Sequence, residues 1–330
     1  MRILALLLLL GRALVPGAAA SVADLLASEG FSSADVYRPE GGNAAFVKVE
    51  INGHPLVLCI DTGSPMTVLS RSAAQRANVP THRLFGPVSG INGVADPKAA
   101  IASLRSFRMN GRELATEPVL VSDAPFPGKT AGLAFDGLLG WRTMKKNRMV
   151  FGYAPALLFF RADGRAARGL DEACRAEQFL PVRLRSFRDA HYLTVSFDGS
   201  PARMLLDSGA AFTMLSGGFA KLNLGSPVGE SSGLGIDGNP VLQRKVKPKT
   251  MEIGGHLFPA VPVASADARL FEKRPITPAN PRAAQIDGLL GYDVVGQFYS
   301  LLDFGNDRLY LHPRPEAGLP VATGSASLTR

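Results

Sequence analysis

Two stretches of the chain alternate apolar and polar side chains, then turn back as more continuously apolar runs. Phe46 to Asn52 reads FVKVEIN, with Val47, Val49 and Ile51 on one side; after Gly53, Pro55 to Ile60 returns as PLVLCI and ends at Asp61-Thr62-Gly63-Ser64. Leu193 to Asp198 reads LTVSFD, with Leu193, Val195 and Phe197 in the same alternation; after Gly199, Pro201 to Leu206 returns as PARMLL and ends at Asp207-Ser208-Gly209-Ala210. A period of two that runs into Asn-Gly or Asp-Gly predicts a β-hairpin with a tight turn. Each hairpin delivers an aspartate at the end of an apolar strand.

The two copies stay in step downstream. Thr67, Leu69 and Ser70 are answered by Thr213, Leu215 and Ser216, an offset of 146 residues. Ser89-Gly90-Ile91-Asn92-Gly93 matches Leu234-Gly235-Ile236-Asp237-Gly238 at an offset of 145, and Phe107–Gly111 matches Met251–Gly255 at 144, as Pro118-Val119 does Pro262-Val263. Asp136-Gly137-Leu138-Leu139-Gly140-Trp141 then matches Asp287-Gly288-Leu289-Leu290-Gly291-Tyr292 at 151. The extra residues of the second copy are expected in Arg274 to Arg282, whose prolines favour an irregular loop. Five matched blocks in one order mean an internal duplication. The expected layout is a leader over 1–20, an N-terminal extension over 21–42, lobes over 43–160 and 179–315, a basic helix-compatible linker over 161–178, and a flexible tail over 316–330.

Composition narrows the class. With 330 residues, 46% hydrophobic and 19% charged, the chain can bury two sizeable cores and is neither disordered nor a coiled coil. Its 35 glycines and 24 prolines punctuate short apolar runs, the texture of a strand-rich protein. The net charge of +8 permits an anionic partner, but basic residues alternating with apolar ones make a solvated sheet face, so no nucleic-acid partner is expected. Lys145-Lys146-Asn147-Arg148 and Arg244 to Lys249 are read in the same way.

Arg2, the apolar run Ile3 to Leu10 and the small residues Ala18-Ala19-Ala20 before Ser21 read as a cleavable secretory signal. The run falls short of the roughly 20 apolar residues of a membrane span, so export without stable membrane insertion is expected. Two cysteines, Cys59 and Cys174, cannot form a disulfide framework; Cys59 in its apolar run reads as a buried free thiol, with a single bridge to Cys174 as the alternative. The five histidines are isolated and no ligand spacing suggests a metal, so neither metal nor cofactor is expected.

An aspartate at the end of an apolar strand costs stability unless it is hydrogen-bonded, and the glycine after it implies close backbone approach. If the halves meet about a pseudo-twofold axis, Asp61 and Asp207 meet too. Two adjacent carboxylates do not both ionise easily: one keeps a proton and the other acts as a base, which suits activation of a water against a carbonyl. A single Asp-Thr-Gly is an ordinary turn; the paired occurrence, with a Gly-Leu-Leu-Gly block in each half, resembles the pepsin-like and retropepsin-like aspartic proteases, in a single-chain, bilobal, secreted bacterial form. The closing run GLLGYDVVGQFYSLLDFGNDRLYL, Gly288 to Leu311, is especially similar to that family's last segment.

The resemblance implies a mainly β fold of two pseudo-twofold-related barrel lobes with few short helices. It makes Asp61 and Asp207 the catalytic dyad, a pattern that is itself a standard example of two carboxyls sharing one proton. It also implies that Thr62 and Ser208 tie the two loops together, that Gly63 and Gly209 let them approach, and that Gly90, Ile91, Asn92 and Gly93, with Gly235, Ile236, Asp237 and Gly238, form glycine-rich flaps over an extended peptide or protein substrate. One departure concerns the loops themselves: Ser64 can donate an outer hydrogen bond to the first carboxylate, whereas Ala210 cannot serve the second. A donor lost to the ionised form raises a carboxyl pKa, so the pH optimum is expected to be less acidic than in gastric-type enzymes. The expected molecule is a monomer, periplasmic or extracellular, and either an endopeptidase or an inactive peptide-binding adaptor on the same fold. Two other patterns, Gly229-Glu230-Ser231-Ser232-Gly233 (G-x-S-x-G) and Gly233 to Gly238 (G-x-G-x-x-G), lack the helix that either motif needs after it and read as a mobile hairpin tip.

Overall fold

The computed structural model describes residues 21–39, 44–83, 96, 98–122, 134–153, 156–187, 190–224, 226–234, 240–267, 286–296 and 298–312. The chain is mainly β, with helices of seven residues or fewer among the described residues. Both expected hairpins form. Phe46–Ile51 pairs antiparallel with His54–Asp61, and Ala190–Phe197 with Ser200–Leu206. Their turns, Asn52-Gly53 and Asp198-Gly199, have positive φ at both central positions (51° and 84°, 50° and 78°), which Asn-Gly and Asp-Gly tolerate best.

Beyond each hairpin the same unit is built twice. Val68–Ser70 lies parallel to Val119–Ser122, and Met214–Ser216 parallel to Val263–Ala266. Ser70 and Ser216 then cap the helices Arg71–Arg76 and Gly217–Asn223, accepting from the amides of Ala73 (3.1 Å) and Phe219 (3.2 Å). The Gly-Leu-Leu-Gly block threads between the strands on either side of the aspartate loop. Gly137–Gly140 runs parallel to His54–Asp61 and antiparallel to Val68–Ser70; Gly288–Leu290 does the same beside Ser200–Leu206 and Met214–Ser216. Asp136 and Asp287, which open these blocks, accept from the amides of Val57 and Arg203, each at 2.9 Å, and so pin register.

One sheet joins the halves. Leu180–Arg183 pairs with Arg308–Leu311, which pairs with Leu301–Asp303, then Val150–Gly152, Leu157–Phe160 and Ser32–Tyr37. The stretch 21–42, read from sequence as an extension, thus supplies a strand within this sheet, and its helix Val22–Ser28 buries Val22 and Leu26 against Leu170 and Cys174 of the helix Leu170–Ala176. That second helix falls inside the expected linker. The main apolar core runs through both halves, from Val47, Leu58 and Phe107 to Val195, Phe197 and Met251.

Gly229–Leu234 and Pro240–Val246 form an antiparallel hairpin. Neither competing motif is therefore followed by a helix, which removes the nucleophile elbow and the dinucleotide fingerprint. The flap positions Gly90 to Gly93 and Gly235 to Gly238 lie outside the described residues, as does the loop 274–282. The cluster 145–148 is solvated only in part: Lys146 is exposed beside Glu117, whereas Lys145 pairs with Asp307, Arg148 donates to the Gly164 carbonyl, and Asn147 is buried, bonding Ala115 and Thr143. Lys145 and Lys146 end the short helix Trp141–Lys146, and Lys145 reaches Asp307 of the other half, a partner that composition alone does not reveal.

Candidate active site

Asp61 ends the strand His54–Asp61, and Asp207 follows Ser200–Leu206 directly. Asp61 is 8% exposed and Asp207 is half-buried. Each carboxylate is cradled by its own loop. Gly63 N and Ser64 N donate to Asp61 Oδ1 at 2.9 and 3.1 Å, and Gly209 N and Ala210 N donate to Asp207 Oδ1 at 3.0 and 3.1 Å. The two carboxyl groups lie close enough for each to shift the other's protonation.

The glycines explain how they can meet. A Cβ on Gly63 would sit 2.5 Å from Asp207 Cγ, and one on Gly209 would sit 2.7 Å from Asp61 Cγ, so each loop gives up a side chain to admit the other loop's carboxylate. Behind them Thr62 and Ser208, both fully buried, exchange four bonds between the halves. Thr62 Oγ1 donates to the Leu206 carbonyl and accepts from Ser208 N, both at 2.8 Å. Ser208 Oγ donates to the Ile60 carbonyl at 2.7 Å and accepts from Thr62 N at 3.1 Å.

The Gly-Leu-Leu-Gly blocks press on the loops from beneath. A Cβ on Gly140 would lie 2.2 Å from the backbone carbon of Met66, and one on Gly291 would lie 2.5 Å from that of Phe212. The amides of Gly140 and Gly291 donate to Thr67 Oγ1 (3.2 Å) and Thr213 Oγ1 (3.0 Å). The amides of Trp141 and Tyr292 close the arrangement by donating to the carbonyls of Ser64 (3.0 Å) and Ala210 (2.8 Å).

Burial raises both carboxyl pKa values. Asp61 is pushed well up by burial and then by the charge of Asp207, against the Gly63 and Ser64 amides. For Asp207, burial is opposed by the amides of Ala210 and Gly209, by the bond from Asp61 and by the Gly63 amide. The two carboxyls therefore titrate as one pair that retains a proton between them. Ser64 departs from its expected part: its hydroxyl donates to the Met66 carbonyl at 2.8 Å, and only its amide serves Asp61. The loop's turn back toward Thr67 puts that carbonyl within reach first, so the Ser64/Ala210 difference does not reach the carboxylates through the side chain.

Cys59 and Cys174 are both free and buried. Burial, then the charges of Asp61 and Asp207, keeps the Cys59 thiol protonated and therefore a poor nucleophile. Trp141 and Tyr292 pack across the junction, as expected of core or lobe-interface residues: Trp141 meets His191 edge-on at 4.6 Å, and Tyr292 meets Tyr153 at 5.3 Å. Sequence reasoning missed His191, which is 1% exposed and bonds Asp307 at 3.0 Å. A lone histidine in an alternating strand carries no local signal of a partner 116 residues away. Among the described residues no cluster of three or more His, Cys, Asp or Glu could hold a metal, and no helix is long and apolar enough to cross a membrane.

Two Asp-Thr/Ser-Gly loops locked face to face in a duplicated β protein define an acid-protease type of fold. The family model described as aspartyl protease matches the chain twice, over residues 47–143 and 193–294, and the chain belongs to that family. Among solved structures it is similar to the aspartic proteinase from Irpex lacteus, with 13% identity and a TM-score of 0.46 over 89% of this chain and 99% of that one. No curated protein matches it in sequence.

Proposed function

We propose that the chain is an aspartic endopeptidase that hydrolyses extended peptide segments between its two halves, with Asp61 and Asp207 as its catalytic residues. The reciprocal approach of the loops, each glycine admitting the opposite carboxylate, carries this reading. Ionised Asp207 takes a proton from a water held between the carboxyls, while Asp61 donates its proton to the scissile carbonyl oxygen. The water oxygen bonds to the carbonyl carbon and gives a neutral gem-diol, leaving Asp207 protonated and Asp61 charged. Asp207 then protonates the amide nitrogen, Asp61 takes back a hydroxyl proton, and the C–N bond breaks to leave acid and amine. The pair ends as it began, and no cofactor enters the cycle.

The glycine-rich segments 90–93 and 235–238 act as flaps over the substrate strand, and the duplication supplies both carboxyls within one chain, so a monomer suffices. Residues 1–20 direct export, placing the enzyme in the periplasm or outside the cell. The test is cleavage of a mixed peptide library from about pH 3 to 8 beside Asp61→Asn and Asp207→Asn. Cutting by the parent and by neither folded variant supports the dyad; peptide binding without cutting by any of the three refutes turnover and leaves an adaptor.

A further inference from the structure

Three polar side-chain atoms from three separate segments are buried without a hydrogen-bond partner: Arg38 Nη2, Tyr153 Oη and Tyr292 Oη. Arg38 follows the strand Ser32–Tyr37, Tyr153 follows Val150–Gly152, and Tyr292 opens the helix Tyr292–Val295. The two tyrosine rings meet at 5.3 Å, and Tyr292 lies close enough to Arg38 for the guanidinium to shift its ionisation. The three groups therefore gather in one place. Tyr153 is 1% exposed and Tyr292 7%, and a polar atom left unpaired at that depth is destabilising.

The duplication supplies a counterpart for comparison. At the offset of 151 that relates Trp141 to Tyr292, Tyr153 answers to Phe304; at the offset of 146, Ala45 answers to His191. In the second half the His191 imidazole meets both Trp141 and Phe304, at 4.6 and 6.3 Å, and its Nε2 bonds Asp307. In the first half the corresponding side chain is only the buried methyl of Ala45. The first copy thus pairs a smaller residue with a more polar surround. Where the second copy packs a ring, the first aims two phenols and a guanidinium nitrogen.

All three atoms can donate. Burial raises both phenol pKa values, so the hydroxyls keep their protons, and the guanidinium is always charged. Tyr153 also lies close enough to Ser208 and Asp207 to respond to both, and the Asp207 charge disfavours a multiply charged ligand. We infer that Arg38, Tyr153 and Tyr292 form a binding site for one small monovalent anion of halide size, held by the guanidinium and the two hydroxyls. A water would accept the same bonds but sets no charge against the guanidinium, whereas a halide does both. The site stands behind the Asp207 loop and does not depend on whether the chain cuts peptides.

The experiment measures the thermal unfolding midpoint of the full chain in sodium chloride and in sodium gluconate, at equal concentrations up to about 0.5 M, for the parent, Arg38→Gln and Tyr153→Phe. Gluconate matches the ionic strength but is too large for a place whose counterpart takes a single imidazole. The parent is expected to unfold about 2–4 °C higher in chloride, and both variants to lose most of that difference. Tyr153→Phe removes only a hydroxyl that has no protein partner, so it keeps the test open if Arg38→Gln does not fold. A difference of equal size in the parent and Tyr153→Phe would place the chloride elsewhere and overturn the inference. No difference in the parent overturns it too, and leaves water as the partner of these atoms.

Discussion

His191 joins the two halves through a contact that titrates. Its Nε2 bonds Asp307 Oδ1 at 3.0 Å, Asp307 also receives Lys145 Nζ at 2.9 and 3.0 Å, and the imidazole lies edge-on to Trp141 at 4.6 Å. Lys145 and Trp141 belong to the first half, on the helix Trp141–Lys146, and His191 to the second, on Ala190–Phe197. Asp303 is buried in the strand leading to the Asp307 turn, and Arg185 of the neighbouring strand is exposed. Burial lowers the His191 pKa; the bond to Asp307 and its charge act against this, and the Lys145 charge reinforces it. The net direction is down, so the unfolded chain, with a histidine pKa of about 6.5, takes up the proton first. Stability attributable to His191 is complete above about pH 6.5 and falls by about 1.4 kcal/mol per pH unit from there to the lower folded value. His191→Gln keeps an N–H for Asp307, removes the titration and loses the edge-on ring contact, worth about 0.5–1.5 kcal/mol. The expected result is a variant about 1 kcal/mol less stable than the parent at pH 8, with the gap narrowing as pH falls below about 6.5. Unfolding midpoints in urea at half-unit pH steps measure this, and the difference between the curves cancels the titration of the dyad. Parallel curves from pH 6.5 to 5 would falsify the argument.

The remaining expectations concern the site itself. Thr62→Val strips the Leu206 carbonyl and the Ser208 amide of their partner inside a fully buried junction, at a cost of about 2–5 kcal/mol in denaturant unfolding; Thr62→Ser should cost under about 1 kcal/mol, and equal losses in the two would discount the hydroxyl. Gly209→Ala puts a methyl 2.7 Å from Asp61 Cγ and should lower kcat by about a hundredfold or more, with about 1–3 kcal/mol lost from stability; near-parental kcat would mean that the loops can separate without consequence. Both dyad pKa values are raised, so the pair holds its single proton to higher pH than two ordinary carboxyls would, and kcat/KM should persist above the range in which ordinary carboxyls ionise. Activity confined to pH values below about 4 contradicts that direction.

The parts of this fold legible in the sequence are those in which local pattern and repetition agree. Asn52-Gly53 and Asp198-Gly199 fix hairpins by turn chemistry alone, and the alternation before them fixes which face is buried. The approach of Asp61 and Asp207 has no local signature; it could be anticipated only because an aspartate, a hydroxyl residue and a glycine recur 146 residues apart. The Ser64 hydroxyl was misplaced because two acceptors compete for it, and only the path of the loop decides that Met66 O is nearer than Asp61. The strand Ser32–Tyr37 was read as an extension because its partners, Leu157–Phe160 and Phe46–Ile51, flank it in space while one of them is more than a hundred residues away in sequence. Lys145 is visible in sequence as one of a basic cluster, but its link through Asp307 to His191 is not, because a network assembled from three distant segments leaves no periodic trace.

The sheet that joins the halves also sets an order of events. Arg308–Leu311 and Leu301–Asp303 pair with each other and link Leu180–Arg183 to Val150–Gly152, more than a hundred residues away on either side. Contacts of such long sequence separation form late. Each half can complete its own aspartate loop from nearby strands, whereas the brace between the halves waits on pairings between distant segments, so building the loops and bringing them face to face are separate steps.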